Sequence, residues 1–165
     1  KLSLFTPLLL PLFLVVIFSA ALAGNPSSNI SNGTTFGRQT TLTAKEVAQK
    51  ASISEERAED VIKILNFQLS KEGFTLAGSS GSLAVAERES GFDPKAINPS
   101  GGVAGYFQWS GWSNTINGNR WSKASRRTLD SDIQLQLMST ELNGDYKNVK
   151  TAMQQATDHD KAALK

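Results

Sequence analysis

The sequence has no cysteine. Disulfides and cysteine-based metal sites are therefore excluded, and cysteine usage says nothing about the redox compartment. Histidine is almost as scarce. The single one, His159, sits between Asp158 and Asp160. A Ser-His-Asp triad would have to use it, and its polar flanks predict an exposed side chain instead. An excess of one charge is missing too. The net charge is +2 over 165 residues, so no nucleic-acid partner is expected. No group of side chains has metal-ligand spacing, and neither a metal nor another cofactor is expected. No segment alternates like a half-buried strand, and there is no internal repeat.

What is present is unevenly distributed. Leu2 to Ala23 carry no charge. At ~1.5 Å per residue, a helix of that length spans a ~30 Å hydrocarbon core. The length favours a membrane anchor, although Pro7 and Pro11 would kink the helix. The end at Ala21-Leu22-Ala23 has the small-x-small pattern of a cleaved secretory signal. Residues 1–23 are thus a transmembrane anchor or a signal segment. Both readings place the rest of the chain outside the cytoplasmic membrane. Residues 24–42 are rich in Asn, Ser, Gly and Thr. They form a flexible linker with too few apolar residues for a core.

Residues 43–165 read as an all-α domain. Thr43-Ala44-Lys45-Glu46 fits a capping box, and so does Ser52-Ile53-Ser54-Glu55. Ala58, Val61, Ile62, Leu65 and Leu69 then recur at helical spacing. The run from Thr75 to Ser90 is small or apolar on nearly every side until Glu87, the pattern of a helix packed on all faces. Further helices are predicted over Leu129–Asn143 and Tyr146–Ala156, and another near Asp158. A Gly/Asn/Trp-rich loop from Gly91 to about Arg120 separates the two groups of helices.

Two glutamates, Glu87 and Glu89, fall in the last turn of the helix ending near Ser90. Gly91 is placed to take the left-handed conformation of a helix C-cap, and Pro94 follows. The negative end of the helix dipole and an apolar setting both disfavour a carboxylate's charge. Both raise its pKa, as a general acid at neutral pH requires. Residues two apart do not share a helix face, so at most one of the pair points into a given cleft. Periodicity does not choose between them. The commoner role of a helix-end glutamate is a solvated one, paired with a base such as Arg88.

The loop that follows adds Gly101, Gly102 and Gly105 beside Tyr106, Phe107, Gln108 and Trp109. Glycines let backbone approach a ligand closely. Aromatics offer flat faces to sugar rings, and an amide supplies donors and acceptors. The competing role for the three tryptophans, Trp109, Trp112 and Trp121, is to close the core.

The stretch "ESGFDPKAINPSGGVAGYFQW" resembles the active-site region of phage-tail-type lysozymes. More distantly it resembles goose-type lysozymes and soluble lytic transglycosylases. Gln134 to Ala163 resemble the C-terminal half of the phage-tail-type domain. The resemblance implies a lysozyme-like helical fold and cleavage of the β-1,4 bond between N-acetylmuramic acid and N-acetylglucosamine in peptidoglycan. It implies Glu89 as the catalytic acid and Ser90 as its neighbour. Gly105, Tyr106, Gln108 and Trp109 then fall on the turn that binds substrate.

A hydrolase needs a second carboxylate. Asp93 is nearest in sequence, with Asp130, Asp132 and Glu141 as others. A lytic transglycosylase, the alternative, needs none. Its turn is one residue shorter, and its Ala-Tyr-Asn motif has no clear match here. A non-catalytic wall-binding module is a further alternative. The layout also resembles membrane-anchored cell-wall hydrolases of Gram-positive conjugation machines. That implies a membrane partner through residues 2–23, a conjugation or secretion machine, and a domain that continues past Lys165. The run of Arg120, Lys123, Arg126 and Arg127 is a solvated face or a contact for anionic wall polymer.

Overall fold

A computed structural model describes residues 40–157. The predicted membrane or signal segment, nearly all of the linker, His159 and the helix near Asp158 lie outside those residues. Among the described residues no helix is long and apolar enough to cross a membrane.

Among the described residues five α-helices build the domain: α1 (Ala44–Ala51), α2 (Glu55–Ser70), α3 (Leu76–Ser90), α4 (Ser131–Asn143) and α5 (Lys147–Gln155). The start of α1 is the predicted capping box. Thr43 accepts from the Glu46 amide, and the Glu46 carboxylate accepts from the Thr43 amide. The second box is displaced. Ser52 is instead the left-handed C-cap of α1, and Ser54 caps α2 by accepting from the Arg57 amide. The α4 helix begins two residues later than expected, because the Asp130 side chain caps it.

The loop is not without strands. It carries a small antiparallel sheet of β1 (Ile97–Asn98), β2 (Val103–Ala104) and β3 (Trp109–Ser110). Ala104 is the shared register point, opposite Ile97 on one side and Trp109 on the other. The domain is mostly helical, as expected, and this small sheet is the addition that an all-α reading leaves out. Strands of two residues are too short to show alternation. A 3₁₀ turn, Arg120–Lys123, closes the loop.

The core is one cluster. Ala58, Val61, Ile64 and Leu65 of α2, Leu83 and Ala86 of α3, and Leu135, Leu137 and Met138 of α4 belong to it. Trp109 and Trp121 fill it from the loop, so two of the three tryptophans close the core. α3 lies at the centre, and small side chains let its neighbours come close. Ser82 accepts from Gln68 of α2 at 2.7 Å. A Cβ on Gly78 would overlap the Met153 carbonyl of α5. The Thr75 hydroxyl, which caps α3, also donates to the Ala156 carbonyl at 2.7 Å.

Candidate active site

The site is assembled at the C-terminal end of α3. Gly91 has φ 60° and its amide donates to the Glu87 carbonyl, the predicted left-handed stop. Phe92 is also left-handed, at φ 63°, and its ring is buried. Burial of that ring offsets the strain, which for a non-glycine residue is of order 1 kcal/mol.

The two glutamates are in different surroundings. Glu89 is exposed and Glu87 half-buried. Oε2 of Glu87 is buried with no hydrogen-bond partner among the described residues. Burial pushes the Glu87 carboxyl above its ordinary value. The raised pKa expected of an acid therefore falls on the glutamate that the family resemblance does not select. Helical geometry separates their directions by about 200°. Ser82, Val85 and Glu89 follow one another at i, i+3 and i+7, one side of α3. Ser82 and Val85 line a cavity of about 270 Å³ together with Phe107, Trp109, Arg120 and Glu141. Glu89 extends that row to the helix end. Glu87 lies instead over Leu83 and Ser80, both buried.

Ser90 joins the helix to the turn. Its hydroxyl lies 3.0 Å from the Ala86 carbonyl and 2.9 Å from the Tyr106 carbonyl. It clamps the two walls together and has no proton left for a ligand. Gly105 makes the turn at φ 87°, and its amide donates to the Ala96 carbonyl at 2.8 Å. A Cβ there would overlap Oε1 of Gln134. Gln108 is left-handed, at φ 47°. Its amide nitrogen donates to the Ala96 and Gly105 carbonyls at 3.1 and 3.0 Å. Those bonds hold the amide in place and leave its oxygen as the group able to accept from a ligand.

Tyr106 and Trp109 are corrected. Both are buried, at 0% and 1% exposure, and neither offers a flat face to a sugar. The Tyr106 hydroxyl donates to Asp60 of α2. Burial and the Asp60 carboxylate hold the phenol protonated, far above its ordinary pKa. The Trp109 indole N–H donates to Glu141 at 2.8 Å. The aromatic ring that remains partly exposed on this turn is Phe107, edge-on to Trp109 with centroids 5.3 Å apart.

The carboxylates proposed as second acids divide clearly. Asp93 is partly exposed and lies 3.3 Å from the Arg57 guanidinium, which also pairs with Asp60 at 3.0 Å. Asp130 caps α4. Asp132 pairs with Lys63 at 2.8 Å. Glu141 is 4% exposed, and the Arg120 guanidinium grips both its oxygens. Asp132 is a surface residue, 69% exposed, and of the four only Asp93 sits on the chain leaving Glu89.

One residue was not singled out from sequence. Gln134 of α4 is wholly buried. Its oxygen accepts from the Tyr106 amide at 2.8 Å. Its nitrogen donates to the Pro94 and Leu129 carbonyls at 2.8 and 3.0 Å. All of these bonds go to backbone, one in the turn and one at each end of the loop. The signal was available: Gln134 shares a helix side with Leu137, Met138 and Glu141, which are buried.

No curated protein and no solved structure matches the chain. A family model described as phage tail lysozyme matches residues 59–165. The match takes in α2 after its first turn, the site-bearing α3, the sheet and both later helices. Membership supports a lysozyme-like, peptidoglycan-lytic function in general terms. With more than half of its length matched, the chain belongs to the phage tail lysozyme family.

Proposed function

We propose that the protein is a peptidoglycan hydrolase that cleaves the β-1,4 bond between N-acetylmuramic acid and N-acetylglucosamine. Its work would be local opening of the cell wall, from an extracytoplasmic position held by a membrane segment at residues 2–23. A conjugation or secretion machine is the setting that the layout suggests. The observation that carries the catalytic part is the placement of Glu89. It is an exposed carboxyl at the end of a buried helix, on the side that lines the 270 Å³ cavity. The clamped turn Gly105–Gln108 lies against that helix end through Ser90.

In this reading Glu89 protonates the leaving oxygen as the glycosidic bond breaks, through an oxocarbenium-like transition state. The bound sugar supplies the cover that an exposed carboxyl lacks. Phe107 gives an apolar edge to the cleft, and the Gln108 oxygen accepts from a sugar hydroxyl or amide. Asp93 is the second carboxylate, with Arg57 at 3.3 Å beside it; it either activates the water that bonds to the anomeric carbon or bonds to that carbon itself before water releases the sugar. Inversion requires a carboxyl separation of ~6.5–9.5 Å and retention ~5–5.5 Å.

The test compares the full chain with Glu89→Gln and Glu87→Gln on purified peptidoglycan. Glu89→Gln should lower muropeptide release at least ~100-fold, the scale of a lost general acid. Glu87→Gln should retain it. The reverse pattern would overturn the assignment, and no release by wild type would favour a non-catalytic wall-binding module. Mass spectrometry separates reducing ends from the 1,6-anhydro ends of a lytic transglycosylase.

A further inference from the structure

The basic run that closes the loop is split in two by the fold. Arg120 and Lys123 turn onto α4 and its C-terminal end. Arg120 pairs with Glu141, and Lys123 pairs with Asp145. Their charge is already answered. Arg126 and Arg127 are exposed, and neither meets a carboxylate among the described residues.

Arg127 is also held. Its guanidinium lies over the Trp112 ring, 5.5 Å from the centroid. Trp112 packs in turn against buried Trp121, the rings tilted by 57° with centroids 4.9 Å apart. The Trp112 amide donates to the Gly102 carbonyl at 2.8 Å. A guanidinium held over an indole by cation–π attraction loses less freedom when it then pairs with an anion. Gly102 belongs to the β1–β2 turn, and β2 leads directly into Gly105 of the candidate site. Arg127 is thus tied, through Trp112, to the turn that leads into the candidate site.

We infer that Arg126 and Arg127 form an anion-binding subsite for the carboxylates of the peptide stems carried by the glycan strand. The inference rests on peptidoglycan as the polymer engaged at Glu89. A planar fork pairs with a planar carboxylate through two parallel hydrogen bonds. Stem carboxylates recur along the strand, so a strand bound at the cleft carries them past the exposed arginine pair. The subsite holds and orients substrate and takes no part in bond breaking.

The test measures sedimentation of the full chain, carrying Glu89→Gln to stop turnover, with insoluble peptidoglycan. The peptidoglycan is first stripped of phosphodiester polymers. Adding Arg126→Gln and Arg127→Gln should weaken binding about tenfold at low salt, as expected for two partly exposed charge pairs. Converting the stem carboxylates to amides should cost the parent the same factor and the double variant nothing more. Arg126→Gln alone, which removes no side-chain contact of the fold, should give part of the loss. An unchanged thermal midpoint excludes misfolding as the cause.

Equal binding by parent and double variant would overturn the inference. So would a loss seen only on peptidoglycan that keeps its phosphodiester polymers. Muropeptide release by the chain with native Glu89 is followed in parallel. Arginine-dependent binding without release would sink the hydrolase reading and leave the subsite standing.

Discussion

The side-chain oxygen of Gln134 accepts the main-chain N–H of Tyr106 at 2.8 Å. One amide on α4 thereby fixes the backbone of the turn facing Glu89, while its nitrogen secures the chain on either side of the loop at Pro94 and Leu129. Replacement by alanine orphans a buried N–H and two carbonyls. Gln134→Ala should cost about 3 kcal/mol or more, since each buried polar group left unpaired costs about 1–3 kcal/mol. Urea denaturation measures it. A cost near zero would mean that water replaces the amide without loss.

Glu141 was a candidate acid by sequence and is a structural anion in the fold. It binds Arg120 and the Trp109 indole together. Glu141→Gln keeps the shape but leaves Arg120 half-buried without its counter-charge. The expected loss is about 2 kcal/mol, below the range for a fully buried pair because Arg120 is 37% exposed. Removing both charges with Arg120→Gln should recover part of that loss. A double-mutant cycle in urea reads the coupling, and additive costs would contradict it.

Glu87 should make stability depend on pH. Its folded pKa lies above the unfolded value because burial disfavours the charged form. Its contribution is then fully present below the unfolded pKa and is lost as pH rises through the folded one. Glu87→Gln, which cannot ionise, should therefore be more stable than wild type at neutral pH. The advantage should vanish in acid, below the ordinary carboxylate range. Thermal midpoints measured across pH would show the two curves converge; parallel curves would contradict it.

Ser90 ties helix end to turn through the Ala86 and Tyr106 carbonyls. Ser90→Ala should cost about 1 kcal/mol of stability, one net hydrogen bond. Muropeptide release should fall more than that stability loss explains, roughly tenfold, because Glu89 and the turn lose their fixed spacing. Release unchanged in a folded Ser90→Ala protein would show that the clamp does not position the acid.

Most of the helical frame was legible in the sequence, for local reasons. Caps such as Thr43 and stops such as Gly91 act within one turn, and apolar spacing along α2 needs no knowledge of its partners. The β1–β3 sheet was not legible, because its register at Ala104 depends on residues brought together only by the fold. Tyr106 and Trp109 were read as sugar platforms because an aromatic on a Gly-rich turn suits a cleft as well as a core. What decides is whether the polar tip finds a partner, and Asp60 and Glu141 lie far along the chain. The glutamate pair shows the same limit. Helix-end electrostatics acts on both, while burial reaches Glu87 and leaves Glu89 in the open.

The junction of Thr75 and Gly78 with the end of α5 bears on how the chain reaches its native state. Thr75 bonds to Ala156 across a separation of 81 residues. Such a contact forms only after a large loop has closed, and distant contacts of this kind slow folding. During synthesis α3 emerges well before α5. Its start, with Gly78 bare of a side chain, then waits for the Met153 carbonyl. The helix that carries Glu89 thus gains its contacts with α5 only after most of the described chain has left the ribosome.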